Sequence, residues 1–101
     1  MDPIRITLSG EVNMQVPDEI LNRYIERRKR DLESCFRNIE EGKYEELEKV
    51  GHQLKGNGET FGHPELSDIG RELEEAARES DDESVHQAVE KFKNWVDRKI
   101  N

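Results

Sequence analysis

One histidine in this 101-residue chain stands among residues suited to covalent chemistry. It lies in the run Gly51-His52-Gln53-Leu54-Lys55-Gly56-Asn57-Gly58-Glu59-Thr60-Phe61-Gly62. Tyr44, Leu47, Val50, Gly51 and Leu54 recur three and four apart, the spacing of an apolar helix stripe. At about 100° of rotation per residue, His52 falls roughly 140° from Leu47, on the side turned to water. Lys55 and Gly56 follow at i+3 and i+4, stacked one turn further along. An imidazole on an open face, beside an ammonium and a position without a side chain, makes a small reactive platform. A neutral imidazole near pH 7 has one ring nitrogen free to attack phosphorus, so a histidine so placed is fitted to carry a phosphoryl group. Exposure favours the outer nitrogen, Nε2.

The elements that must hold this platform carry a family likeness. His52, Leu54, Lys55, Gly56, Phe61 and Gly62 match the signature H-x-L-K-G-x-x-x-x-hydrophobic-G, and Leu66, Ile69, Leu73 and Glu74 continue its register without a gap. In these residues the chain resembles the histidine-containing phosphotransfer (HPt) family, by pattern from about Asp18 onward and most densely from Val50 to Glu74. The resemblance implies an all-α, antiparallel up-down four-helix bundle. It also implies a carrier that accepts a phosphoryl group on His52 from an aspartate of a response-regulator receiver domain and passes it to another receiver.

Roles follow from the resemblance together with phosphoryl-transfer chemistry, in which positioning and charge neutralisation do most of the work. Lys55 is the local cation that steadies the phosphoryl oxygens, and Gly56 opens space for a receiver's loops. The position matching a family partner of the phosphoacceptor ring is Glu74, and Arg78 one turn later could reach the phosphoryl group. By pattern alone Glu74 reads equally as an ordinary exposed helix residue. Glu48 at i−4 and Glu59 at i+7 lie on the His52 side and would repel a bound phosphoryl group. No cofactor of its own is expected. Mg²⁺ should arrive with the receiver, because nothing near His52 forms a carboxylate cage.

Composition limits the alternatives. The length allows one domain with a modest core. Only 32% of residues are hydrophobic and 40% are charged, which favours disorder, but the apolar residues recur at helical spacing and so argue for a folded chain. A net charge of −8 disfavours a nucleic-acid partner. No apolar run is long enough for a bilayer and no signal-peptide pattern opens the chain, so the expected location is cytoplasmic. Cys35 shares a stripe with Leu32, Phe36 and Ile39 and is expected to be a buried thiol. The spacing of His52, His63 and His86 fits no zinc pattern.

In chain order, Ile4, Ile6, Leu8, Val12, Met14 and Val16 share one parity around a break at Ser9-Gly10, which predicts an extended N-terminal arm over 1–16 that must pack on the helices or on a second copy. The bundle then occupies 17–101. Pro17-Asp18-Glu19 opens a first helix whose inward stripe is Ile20, Leu21, Tyr24, Ile25, Leu32, Cys35, Phe36 and Ile39, with Arg28 in the middle and Gly42 at its end. The basic run Arg27 to Arg30 is interleaved with Glu26, Asp31 and Glu33, the pattern of a solvated face. The second helix begins near Lys43. Periodicity alone stops it at Gly56 as a C-cap, whereas the resemblance implies continuation past Gly58, with the glycines keeping the surface beside the histidine low; the expected course is continuation, ending near Thr60. Pro64 starts a third helix with Leu66, Ile69, Gly70, Leu73, Ala76 and Ala77 inward; Gly51 and Gly70 are read as close-packing points between helices. Ser80 and Glu83 read as a capping box for a fourth helix, whose stripe is Val85, Ala88, Val89, Phe92, Trp95, Val96 and Ile100.

No nucleotide-binding loop or kinase-like constellation accompanies these helices, so the expected molecule is a covalent carrier and not an enzyme, acting in trans on receiver domains or a hybrid histidine kinase. The competing reading is a helical adaptor that docks on a receiver or kinase without transfer; such an adaptor needs none of His52, Lys55 and Gly56. The chain is expected to be a monomer, with an arm-mediated dimer as the alternative.

Overall fold

The computed structural model describes residues 17–100, and the extended arm expected over 1–16 lies outside them. Four helices account for nearly all of the described chain: α1 Asp18–Glu41, α2 Tyr44–Asn57, α3 Pro64–Arg78 and α4 Asp82–Ile100. Each helix packs on two others, α1 and α3 both lying against α2 and α4. The partners across each seam run in opposite directions. Glu65 pairs with Arg98 and Glu72 with Lys91 across α3 and α4, so the expected up-down four-helix bundle is found. No strand occurs among the described residues.

Helix ends explain the connections. Gly42 takes φ +68°, and the Lys43 and Gly42 amides return to Asn38 O and Ile39 O at 2.8 and 3.2 Å, closing α1 in a left-handed stop that glycine adopts freely. The same stop ends α3, but with Ser80 at φ +53°, the one described non-glycine residue with a positive φ. The Asp81 and Ser80 amides return to Ala76 O and Ala77 O, both at 3.0 Å. Ser80 is therefore the terminator of α3 and not the N-cap of α4, and the expected Ser80–Glu83 capping box gives way to a cap one residue on. Asp81 caps α4, its Oδ1 accepting from the Ser84 amide at 3.2 Å and its Oδ2 from the Ser84 hydroxyl at 2.9 Å.

The core is built by Leu47, Leu54, Leu66, Leu73, Val85, Val89, Phe92, Trp95 and Val96, all fully buried, with Cys35 beside them. Burial pushes the Cys35 thiol up to about 12, which makes it inert packing. On α1 the inward stripe is narrower than its apolar pattern: only Tyr24, Arg28, Leu32 and Cys35 are buried, while Ile20 and Phe36 are 43% and 45% exposed. Ile20 sits in the first turn, before α1 reaches its α2 neighbour at Tyr24, and Phe36 is rotated about 100° from Cys35. Ile100, at the last turn of α4, is likewise exposed.

Arg28 follows the expected inward stripe and not the solvated face of the basic run around it. Its guanidinium covers the Tyr24 ring at 4.7 Å and its Nε faces Asp31 Oδ2 at 3.0 Å, off the N–H axis, so the pair is ionic without an aligned hydrogen bond. Desolvation raises the Asp31 carboxyl above its ordinary range despite that cation.

The α2 to α3 seam is set by missing side chains. A Cβ on Gly51 would lie 2.5 Å from the Glu74 amide nitrogen and 2.8 Å from Gly70 O, and one on Gly70 would strike the Lys55 amide nitrogen. Backbone thus meets backbone here, as the paired glycines suggested. The end of α2 corrects the expected continuation to Thr60. The helix runs through Gly56 but ends at Asn57, short of Thr60; Gly58 keeps right-handed helical angles, and further turns lead to Gly62 at φ +85°. Gly58 does not face a partner. A Cβ on it would lie 2.7 Å from the Ser67 amide nitrogen, so it admits the first turn of α3.

Candidate functional site

With Leu47, Gly51 and Leu54 turned into the bundle, the rotation of α2 leaves His52 outside, its side chain 70% exposed. α2 and α3 meet backbone to backbone at Gly51 and Gly70, and Glu74, one turn of α3 past Gly70, reaches the ring. Its Oε2 lies 2.9 Å from His52 Nδ1. A carboxylate only accepts hydrogen bonds, so Nδ1 carries the proton and donates it, and the lone pair is left on Nε2.

Glu74 is 7% exposed, which corrects its reading as an open helix residue. A carboxylate taken this far from water requires compensation, and three cationic or polar groups converge on it. Lys55 Nζ meets Oε1 at 2.7 Å, His52 Nδ1 meets Oε2, and Arg78 Nη2 approaches Oε2 at 3.3 Å. The Lys55 hydrogen bond is the largest influence and, with that of His52, outweighs desolvation, holding the Glu74 carboxyl below its ordinary value. Lys55 is thus paired with Glu74, not standing free beside the ring.

Arg78 makes a second contact that sequence reasoning did not supply: its Nε donates to Glu48 Oε2 at 3.1 Å. Glu48 therefore lies on the His52 side as expected, but its charge is matched. The signal lay in the pattern. Once Glu74 faces His52 across antiparallel helices, the residues one turn away, Arg78 and Glu48, must face each other too. Glu59 lies beyond the last helical residue of α2, so the rotation that put it beside His52 does not extend to it; its amide donates to Ser67 Oγ at 2.7 Å.

Gly56, one turn past His52, has nothing within 4 Å of where a Cβ would stand, which leaves open surface beside the ring. The other histidines are elsewhere. His63 stacks on Tyr24 at 5.8 Å and meets the edge of Trp95 at 5.1 Å, while His86 Nδ1 faces Asp82 O at 2.8 Å on the first turn of α4. Tyr24 also donates its hydroxyl to Asn57 Oδ1 at 2.6 Å and stacks on Phe61 at 4.3 Å, pinning the end of α2 to α1. Among the described residues no group of three His, Cys, Asp or Glu side chains could hold a metal ion, and no helix is long and apolar enough to cross a membrane.

The arrangement presents one nucleophilic ring nitrogen to solvent, fixes its tautomer from behind, and keeps two cations within a turn of it. A family model described as the Hpt domain matches residues 19–100. No curated protein and no solved structure matches the chain.

Proposed function

The chain belongs to the Hpt domain family, and from that premise we propose that it relays phosphoryl groups between receiver domains through His52. Members of the family are phosphocarrier modules of two-component signalling and have no kinase activity of their own. The observation that carries the assignment to His52 is its 70% exposed ring with Nδ1 bonded to a buried carboxylate, which leaves Nε2 as the outward nucleophile.

In the proposed step the Nε2 lone pair attacks the phosphorus of a receiver's aspartyl phosphate. An N–P bond forms, the acyl O–P bond breaks and the aspartate leaves as carboxylate. No proton has to be removed first, because Nδ1 already holds it. The ring becomes a phosphoimidazolium, and its new positive charge faces Glu74 Oε2 at 2.9 Å. Transfer onward reverses the step on a second receiver.

Lys55 keeps its bond to Glu74 Oε1 and is assigned to the phosphoryl oxygens through its remaining N–H donors, and Arg78 is the second cation. Gly56 supplies clearance for the receiver's loops. Mg²⁺ is assigned to the receiver, where it would neutralise the transferring group. The partners are receiver domains, free or within a hybrid histidine kinase.

The test is to mix the chain with a phosphorylated receiver and weigh both proteins intact. Wild type should gain one acid-labile, base-stable phosphoryl group and His52→Gln none. Tight binding to the receiver without any such gain would favour the adaptor reading instead.

A further inference from the structure

The charges around His52 close on themselves. Stepping back one turn of α2 from His52 reaches Glu48, and stepping on one turn of α3 from Glu74 reaches Arg78; because the helices are antiparallel, the two steps go the same way. Arg78 spans the gap, with Nε on Glu48 Oε2 at 3.1 Å and Nη2 on Glu74 Oε2 at 3.3 Å. That same Glu74 oxygen lies 2.9 Å from His52 Nδ1, so the guanidinium and the imidazole share one acceptor atom.

We infer that Glu48 sets the lifetime of a phosphoryl group on His52 by withholding Arg78 from it, an inference that rests on the phosphocarrier reading above. Two negative groups compete for one guanidinium. A phosphoryl group on Nε2 brings close to two negative charges and three acceptor oxygens, which suit the planar fork of arginine better than one carboxylate oxygen does.

Of the two cations on Glu74, Arg78 is the freer. It is 57% exposed against 39% for Lys55, and its contacts are 3.1 and 3.3 Å against 2.7 Å. Glu74 cannot release both cations, since a carboxylate that is 7% exposed would be left uncompensated. Glu48, 35% exposed, tolerates loss of its partner to water. Arg78 therefore turns from Glu48 to the phosphoryl group, and the Glu48 carboxylate opposes that turn twice, by holding the guanidinium and by repelling the incoming charge.

The test uses phosphoramidate as a small donor, so that no receiver is involved. Nε2 forms the N–P bond as the donor's P–N bond breaks and ammonia leaves with a proton from solvent. After the donor is removed, ³¹P NMR follows hydrolysis, in which a water oxygen bonds to phosphorus, the N–P bond breaks and Nε2 regains its lone pair.

Glu48→Gln should lengthen the phosphohistidine lifetime roughly two- to fivefold, the span of a partly exposed ion pair. Arg78→Gln should shorten it by a similar factor, and Arg78→Lys should recover part of the loss. Adding Glu48→Gln to Arg78→Gln should bring a clearly smaller gain than in wild type, the part due to repulsion alone, with thermal midpoints showing that all variants are folded. An unchanged or shorter lifetime in Glu48→Gln overturns the inference, as does an equal gain in both backgrounds, which would leave only repulsion with Arg78 idle. Normal exchange with a receiver alongside either result strikes this inference alone. The expected lifetimes without any receiver exchange would strike the relay reading alone.

Discussion

His52 Nδ1 on α2 lies 2.9 Å from Glu74 Oε2 on α3, although 22 residues separate them in sequence. The contact fixes the ring's tautomer, sets its orientation and places a negative charge where the phosphorylated ring turns positive. Glu74→Ala should therefore slow phosphoryl acceptance by about tenfold or more, measured as the initial rate of label transfer from a receiver. Glu74→Gln, which keeps an acceptor for Nδ1 but loses the charge, should fall between. An Ala variant as fast as wild type would mean that the ring is oriented by something other than this carboxylate.

Two glycines of α2, Gly51 and Gly56, should respond oppositely to the same methyl group. On Gly51 it meets backbone at 2.5 and 2.8 Å that has nowhere to go, so Gly51→Ala should cost about 1–3 kcal/mol or more through overpacking. On Gly56 it meets nothing within 4 Å, so Gly56→Ala should stabilise the helix by about 1 kcal/mol. Yet it should slow exchange with receivers by filling the clearance beside His52. Denaturant titration and transfer rates together check the pair; a Gly56→Ala protein that is both more stable and equally fast would leave that clearance without a role.

Ser80 holds the left-handed position that glycine holds at the end of α1, with φ +53° against +68° for Gly42. Ser80→Gly should relieve about 1 kcal/mol of backbone strain, seen as a thermal midpoint raised by about 4–8 °C. Ser80→Ala, which keeps the Cβ, should give no such rise.

The His63 ring is packed between Tyr24 and Trp95, and burial, followed by the charge of Lys99, lowers its proton affinity from the ordinary 6.5. The folded state then binds fewer protons than the unfolded one below that value. The stability this supplies is complete above pH 6.5 and is lost as pH falls through the folded pKa. Urea midpoints should drop as pH falls below 6.5, and His63→Phe, which keeps an aromatic ring but cannot titrate, should flatten that limb. The Glu74 carboxyl, held below 4.5, contributes to the acid limb only further down. An equally steep limb in His63→Phe would assign it to other groups.

The helices and the phosphoacceptor were legible in the sequence because both are written in spacing. Leu47, Gly51 and Leu54 fix which way α2 faces, and that alone turns His52 outward. What escaped depended on distances between helices. Arg28 falls both on the inward stripe and in a run that looks solvated, and only the approach of α1 to α2 and α4 decides for burial over Tyr24. Ser80 and Asp81 are both good caps by type, and the choice between them was made by where α3 ends. Glu48 looked like an unmatched charge because its partner, Arg78, is 30 residues away on another helix.

In the proposed relay, phosphorus bonds to Nε2 of His52. In protein labelled with ¹⁵N and phosphorylated by a receiver, one-bond coupling of ³¹P to the Nε2 resonance of a single histidine, lost in His52→Gln, is the predicted result. Coupling to Nδ1, to His63 or His86, or to no histidine nitrogen at all would contradict the account.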